Sequence, residues 1–199
     1  MKIVRVTATP LNVPLHISLA GIERTSSLEA CFAEVETDGG MTGHGLAAIT
    51  RETVIAEIVN RVIAPAIKGE DPLANELIWD KLYWALMPRG QTGLAAQALS
   101  AVDIALWDIK GKAFGQPVWR LLGGARQRVP LYATFGFNFF DREQLAAAAK
   151  LWVSQGYRRL KMVVGHEALR RRETRPMMEV IQEDAARVRA VRESVGPDV

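Results

Sequence analysis

The stretch from Thr92 to Gly115 sets the strongest limit on what this chain can fold into. Leu94, Leu99, Val102, Leu106 and Ile109 recur within it at helical spacing. Ala98, Ala101 and Ala105 leave the same helix narrow enough for a neighbouring backbone to come close. A helix this apolar is predicted to be buried. Asp108 precedes Lys112 by four residues, the favourable order for an ion pair along a helix. Asp103 has no such partner and must pair elsewhere or face solvent, because an unpaired buried carboxylate is too costly. The charges read as anchors at a domain interface in preference to catalytic groups.

The elements before this helix alternate in a different period. Residues 2–13 are rich in β-branched types and end at Pro14, residues 27–37 and 41–48 follow the same pattern, and Asp38-Gly39-Gly40 joins the last two. Between the first two strands, residues 16–26 read as a polar loop around Gly21, a mobile flap. Thr50 is placed to cap a helix carrying Val54, Ile55, Ile58, Val59, Val62 and Ile63 until Pro65 and Gly69 end it. Asp71-Pro72 then offers a cap and an N1 proline for a helix with Leu73, Leu77, Ile78 and Leu82. Three strands followed by three helices make an α+β unit over residues 1–125.

After Gly123-Gly124 the order becomes β-α-β-α. Val129, Leu131 and Ala133 predict a short strand, Asp141 to Gln144 a capping box for a helix through Gln155, and residues 157–164 a second strand. A last helix carries Met177, Met178, Ile181, Ala185, Val188 and Val191 to the stop at Gly196-Pro197. Two parallel β/α units cannot close a barrel, so residues 126–199 read as the unfinished start of one; packing against the first domain as a small three-layer fold is the alternative. Open strand edges make a homo-oligomer the expected solution state.

Composition narrows the function classes. The 199 residues are 49% hydrophobic, and 25 Lys and Arg are interspersed with 22 Asp and Glu for a formal charge of +3. No nucleic-acid module is recognisable, and the dense basic run is confined to Arg170, Arg171, Arg172 and Arg175. Charges interrupt the apolar N-terminus, so neither a signal peptide nor a membrane segment is predicted. Cys31 lies among Ala30, Phe32 and Ala33 as a small buried hydrophobe. A cytoplasmic protein with no membrane and no nucleic-acid partner is expected.

Residues 98–123 also carry a longer pattern: alanine, two small residues, an aliphatic residue, Asp103, Ala105-Leu106, Asp108, Gly111-Lys112, Pro117 and Leu121-Leu122-Gly123. This resembles, position by position, the signature of the mandelate racemase/muconate lactonizing enzyme family of the enolase superfamily. The resemblance implies an α+β capping domain, a three-stranded antiparallel sheet plus helices, ahead of a TIM-type barrel. It implies that loops 16–26 and 49–53 cover the barrel mouth and help select a small hydroxy-carboxylate substrate, which makes His16, Arg24 and Thr50 the substrate-binding candidates.

The same resemblance implies chemistry. Family members abstract the proton next to a carboxylate, and the enolate formed carries two negative charges that a magnesium ion (Mg2+) stabilises. The ion's carboxylate ligands come from the third, fourth and fifth barrel strands, so no metal ligand is assigned within this chain. On the second strand the family places Lys-x-Lys, the second lysine being a base. Here Lys161 matches the first lysine and Val163 stands in the place of the base. Valine cannot take a proton, which disfavours a two-base racemase and favours single-base chemistry such as acid-sugar dehydration, with Lys161 left to orient a substrate carboxylate or a metal ligand. A racemase or cycloisomerase of the same family, or a non-catalytic capping module, are the alternatives. His44, between Gly43 and Gly45, stands near a position where many relatives have an acidic residue; it reads as structural, with the glycines allowing close backbone approach. The loop 166–175 is expected to rim the barrel mouth, its arginines steering anions.

Overall fold

The computed structural model describes residues 1–88, 90–165 and 174–199. They form two units: Met1–Leu15 with Ser26–Ala125, and His16–Thr25 with Arg126–Val199. The arginines 170–172 lie outside the described residues.

The first unit is a three-stranded sheet covered on one face by helices. Strands β1 (Ile3–Leu19), β2 (Ile22–Thr37) and β3 (Thr42–Ala48) lie in that order, and β2 pairs antiparallel with β3 so that Ala33 faces Gly45 and Val35 faces Gly43. Residues 16–26 are therefore not a loop. They are the far end of a β1–β2 hairpin turning at Ala20 and Gly21, both at positive φ (51° and 76°), the backbone a two-residue hairpin turn requires. Pro14 does not end β1 either: at the sheet edge a residue without an N–H loses nothing.

Helix α1 (Glu52–Ile58) runs through a π-helical turn (Val59–Ile63) into α2 (Ala64–Ile67). The residue preceding α1 is Arg51, and no side chain caps it; Thr50 instead donates its hydroxyl to the Gln97 side chain. Asp71-Pro72 starts no helix: Asp71 accepts from Leu73 N–H at 3.1 Å, a local turn, and α3 (Asn75–Ala85) begins three residues later. Helix α4 (Gly93–Phe114) spans the predicted segment, with Gly115 in the left-handed region ending it, and a short α5 (Val118–Leu121) follows. Ala98, Ala101, Val102, Ala105 and Ile109 are fully buried against β3 and the other helices.

Side chains from the helices satisfy backbone groups on both outer edges of the sheet. On the β1 edge, Asn60 from the π-helical turn accepts from Ala8 N–H at 2.8 Å and donates to Ala8 C=O at 2.9 Å, mimicking a paired strand. On the β3 edge, Asp108 accepts from His44 N–H at 2.9 Å, and Lys112 donates to Thr42 C=O at 2.7 Å while bonding Asp108 at 2.6 Å. The ion pair expected from spacing thus does a second job, blunting an edge that would otherwise invite pairing. Replacing Asn60 with Ala strips both Ala8 groups, on a residue only 6% exposed, of their partner. Its expected cost is about 1–3 kcal/mol, read as a lower urea midpoint.

In the second unit, β4 (Ala133–Phe135) and β5 (Leu160–Met162) pair in parallel, Thr134 opposite Lys161, with α6 (Arg142–Ser154) and α7 (Met177–Val195) beside them. Asp141 and Gln144 form the anticipated capping box at 2.8 and 3.0 Å. The strands are shorter than predicted. Pairing is confined to Ala133–Phe135 with Leu160–Met162, and Val129 and Leu131 lie outside β4 and are 65% and 67% exposed. Helix α7 also turns a different side inward: Met177, Met178, Ile181 and Val188 are exposed, whereas Val180, Arg187 and Val191 are buried. The buried cluster of this unit comprises Phe135, Phe140, Leu145, Ala148, Ala149 and Val191, with Leu19, Ala20 and Ile22 of the hairpin end packed on it. No helix among the described residues is long and apolar enough to cross a membrane.

Candidate functional site

The two faces of the β4–β5 ribbon differ. Phe135, Leu160 and Met162 pack with α6 and α7, so strand alternation sends Thr134 and Lys161 out of the opposite face. Lys161 is exposed there; its ammonium lies 3.4 Å from the Tyr132 hydroxyl and 5.0 Å from the centre of its ring. Just past the strand, Val163 N–H donates to Gly136 C=O at 3.3 Å. Gly136 has φ 73°, and a Cβ there would stand 2.7 Å from Leu145 Cδ2.

The hairpin end belongs to the same unit. Arg24 lays its guanidinium over Phe139, 4.3 Å from the ring centre, and Phe139 stacks on Phe137 at 5.6 Å. His16 Nε2 lies 2.8 Å from Glu23, whose other oxygen accepts from Ser18. His16 and Arg24 are thus held at one hairpin end, with Arg24 on the loop that follows β4. Thr50 belongs to the other unit, bonded to Gln97, so neither unit gathers all four candidates. Beside it Ile49 takes φ 57° with its side chain 84% exposed, a strained backbone for a β-branched residue.

In the first unit the signature helix lines a hollow with His44, Asp103, Ile104, Trp107, Asp108, Lys112, Val118 and Leu122. Burial raises the Asp108 carboxyl, but the Lys112 ammonium and the His44 N–H outweigh it and hold its pKa below the ordinary carboxylate value. His44 stacks on Phe32 at 5.5 Å and stands 3.5 Å from Asp108, an edge-closing role in keeping with a structural residue. Asp103 differs. It is half-buried, has no hydrogen-bond or ion-pair partner among the described residues, and burial followed by the nearby Glu76 charge pushes its pKa up. A raised folded pKa means that this group's stabilising contribution is complete below the ordinary carboxylate value and is lost as pH rises through the raised one. Asp103→Asn is therefore expected to raise the thermal midpoint at neutral pH and to lose that advantage below about pH 4. A variant less stable than the parent at neutral pH refutes the assignment.

Spacing reasoning passed over Asp184 and Arg187. Arg187 donates to Phe137 C=O at 3.0 Å and meets Asp184 at 3.4 Å, while Asp184 accepts from Gly165 N–H at 2.7 Å. The signal was present in the chain: positions 180, 184, 187 and 191 form one helical stripe, and two of its four members are charged.

Among the described residues, no three His, Cys, Asp or Glu side chains come together to hold a metal ion. The described residues thus offer no set of ligands for a magnesium ion.

A family model, the N-terminal domain of mandelate racemase/muconate lactonizing enzyme, matches residues 1–123. The chain is 32% identical over 175 residues to the arabinonate dehydratase of Saccharolobus solfataricus, covering 86% of this chain and 44% of that protein. A crystal structure of a racemase from Streptomyces coelicolor A3(2) with bound magnesium superposes with TM-score 0.81 at 31% identity, over 98% of this chain and 52% of the other. L-talarate dehydratase from Polaromonas sp. JS666, complexed with Mg and L-glucarate, gives TM-score 0.76 at 33% identity, over 98% and 49%. The chain spans about half the length of these relatives. It belongs to the mandelate racemase/muconate lactonizing enzyme family of the enolase superfamily, with the family's N-terminal domain at residues 1–123.

Proposed function

We propose that this chain supplies the capping domain and the first two β/α units of a magnesium-dependent lyase that removes the proton next to the carboxylate of an acid sugar and expels water. The observation that carries the reading is the open face of β5, where Lys161 projects and valine follows at the position of the second lysine. That pattern supports one-base chemistry, and the similarity to two acid-sugar dehydratases points the same way. Lys161 orients a substrate carboxylate or a metal ligand, His16 and Arg24 approach the substrate from the hairpin end, and Thr50 does so from the 49–53 turn. Magnesium, when bound, stabilises the enolate; its ligands are not assigned among these residues. A racemase of the same family is the second reading, favoured by the similarity to the Streptomyces coelicolor protein.

The test is turnover of a panel of five- and six-carbon sugar acids by the natural gene product that contains this segment, with magnesium and with chelator. Loss of water to give a 2-keto-3-deoxy acid, abolished by chelation, is the expected result. Racemised or cyclised substrate without loss of water, or activity that survives chelation, overturns it.

A further inference from the structure

The side of α7 that faces inward is the less apolar of the two on offer. Met178, Ile181 and Val188 would bury more hydrocarbon, yet they are 62%, 52% and 47% exposed while Arg187 is 9% exposed. Burying a guanidinium costs free energy that an apolar side chain of similar size avoids, and Arg187 leaves its Nε without a hydrogen-bond partner. Packing alone therefore does not explain its position. Its contacts do. One arm reaches Phe137 C=O at 3.0 Å, in the loop directly after β4, where Phe140 N–H closes a turn back onto the same carbonyl at 3.2 Å. That loop carries Phe139, on which Arg24 rests. The other arm meets Asp184 at 3.4 Å, and Asp184 holds Gly165 N–H at 2.7 Å, three residues past the end of β5. Both strands thus have the segment beyond their C-terminal ends tied to one pair of side chains on one helix, at the end of a β/α unit where binding groups are presented.

We infer that Arg187, with Asp184, is a positioning residue for the proposed active site: it sets the post-β4 loop that seats Arg24 and the post-β5 segment that follows Lys161. The inference rests on the proposed function for its purpose, but its geometry is testable without turnover. In the full 199-residue chain, the hydrogen exchange rate of the Gly165 amide reads one branch, and the ring-current shift of the Arg24 δ-protons over Phe139 reads the other. Arg187→Met is expected to speed Gly165 exchange by about threefold or more, because Asp184 keeps its bond to Gly165 but loses the guanidinium that holds it in place, and to move the Arg24 protons to near their random-coil positions. Val191→Ala, which trims the same helix face without touching either tie, is expected to leave both readouts near the parent values while lowering the melting temperature. Should Arg187→Met fail to fold, Asp184→Asn takes its place, with faster Gly165 exchange expected.

Parent-like Gly165 exchange in the variant that folds overturns the inference, as does an unmoved Arg24 shift in Arg187→Met. So does equal disturbance of both readouts by Val191→Ala. In the natural gene product, Arg187→Met is further expected to lower kcat more than it raises KM. If no sugar acid is turned over at all, the proposed function fails while the two spectroscopic readouts still decide the positioning role.

Discussion

Gly45→Ala is expected to destabilise the N-terminal unit by about 3 kcal/mol, a large part of a typical domain's margin. A Cβ at Gly45 lies 3.0 Å from both the carbonyl carbon of Ala101 and the amide nitrogen of Ala105, and closer still to the Ala101 carbonyl oxygen. These are backbone atoms of α4, so no side chain can swing aside. The helix cannot retreat easily either, because Val102 and Leu106, elsewhere on it, are also buried in the core. Gly43 repeats the arrangement one turn on, its added Cβ falling 2.6 Å from Ile109 Cγ1 and nearer to the Ala105 carbonyl. The edge closure suffers as well, since Asp108 and Lys112 reach β3 only because α4 lies this close. Gly39→Ala, in a turn with nothing within 4 Å of an added Cβ, is the control. Thermal unfolding followed by circular dichroism is expected to place Gly45→Ala about 10 °C or more below Gly39→Ala. Equal melting temperatures would mean that α4 does not seat on β3 as described.

What the sequence made legible follows from which interactions are local. Helix α4 was readable because its apolar spacing, its Asp108–Lys112 pair and its terminal Gly115 are all encoded within the segment itself. The capping box at Asp141 and Gln144 was readable for the same reason. Residues 16–26 were misread because their polarity suits a loop, whereas the strand there is maintained by its hairpin partner. Pro14 has the chemistry of a strand terminator, but β1 is an edge strand, where a missing N–H costs no ladder bond. Asp71-Pro72 has the order of a helix start, but the Asp71 side chain satisfies Leu73 locally and the helix waits until Asn75. The inward side of α7 was hidden by the hydrophobic count, since Arg187 is held by a carbonyl fifty residues away that no periodicity reveals. Among the candidate site residues, Lys161 was legible as a strand residue, but the face it takes depended on Leu160 and Met162 packing on the buried cluster of that unit. The resting places of Arg24 on Phe139 and of Thr50 on Gln97 depended on contacts distant in the chain.

Lys161→Met is expected to lower kcat/KM for acid-sugar turnover by about 10²–10³-fold, the scale for removing one preorganised cationic or hydrogen-bonding group from a site where negative charge develops. The fold has little stake in this lysine. Its side chain is exposed on the face of the ribbon away from α6 and α7, and its described partner is Tyr132, itself 53% exposed, at 3.4 Å. Stability should therefore change by no more than about 0.5 kcal/mol, which separates a loss of function from a loss of structure. Methionine keeps the length and apolar stem of lysine, so the difference between parent and variant is the ammonium itself. Arg at the same position restores the charge but replaces a compact point donor with a planar fork on a longer arm, and only partial recovery is expected. Tyr132→Phe provides the complementary check: it removes the hydroxyl while keeping the ring beneath the ammonium, so a small effect on turnover indicates that Lys161 acts on the substrate or on a metal ligand and that Tyr132 only parks it. A Lys161→Met enzyme with parent-level kcat/KM would remove Lys161 from the chemistry, leave the open face of β5 without a functional group, and shift the weight of the reading to His16 and Arg24 at the hairpin end.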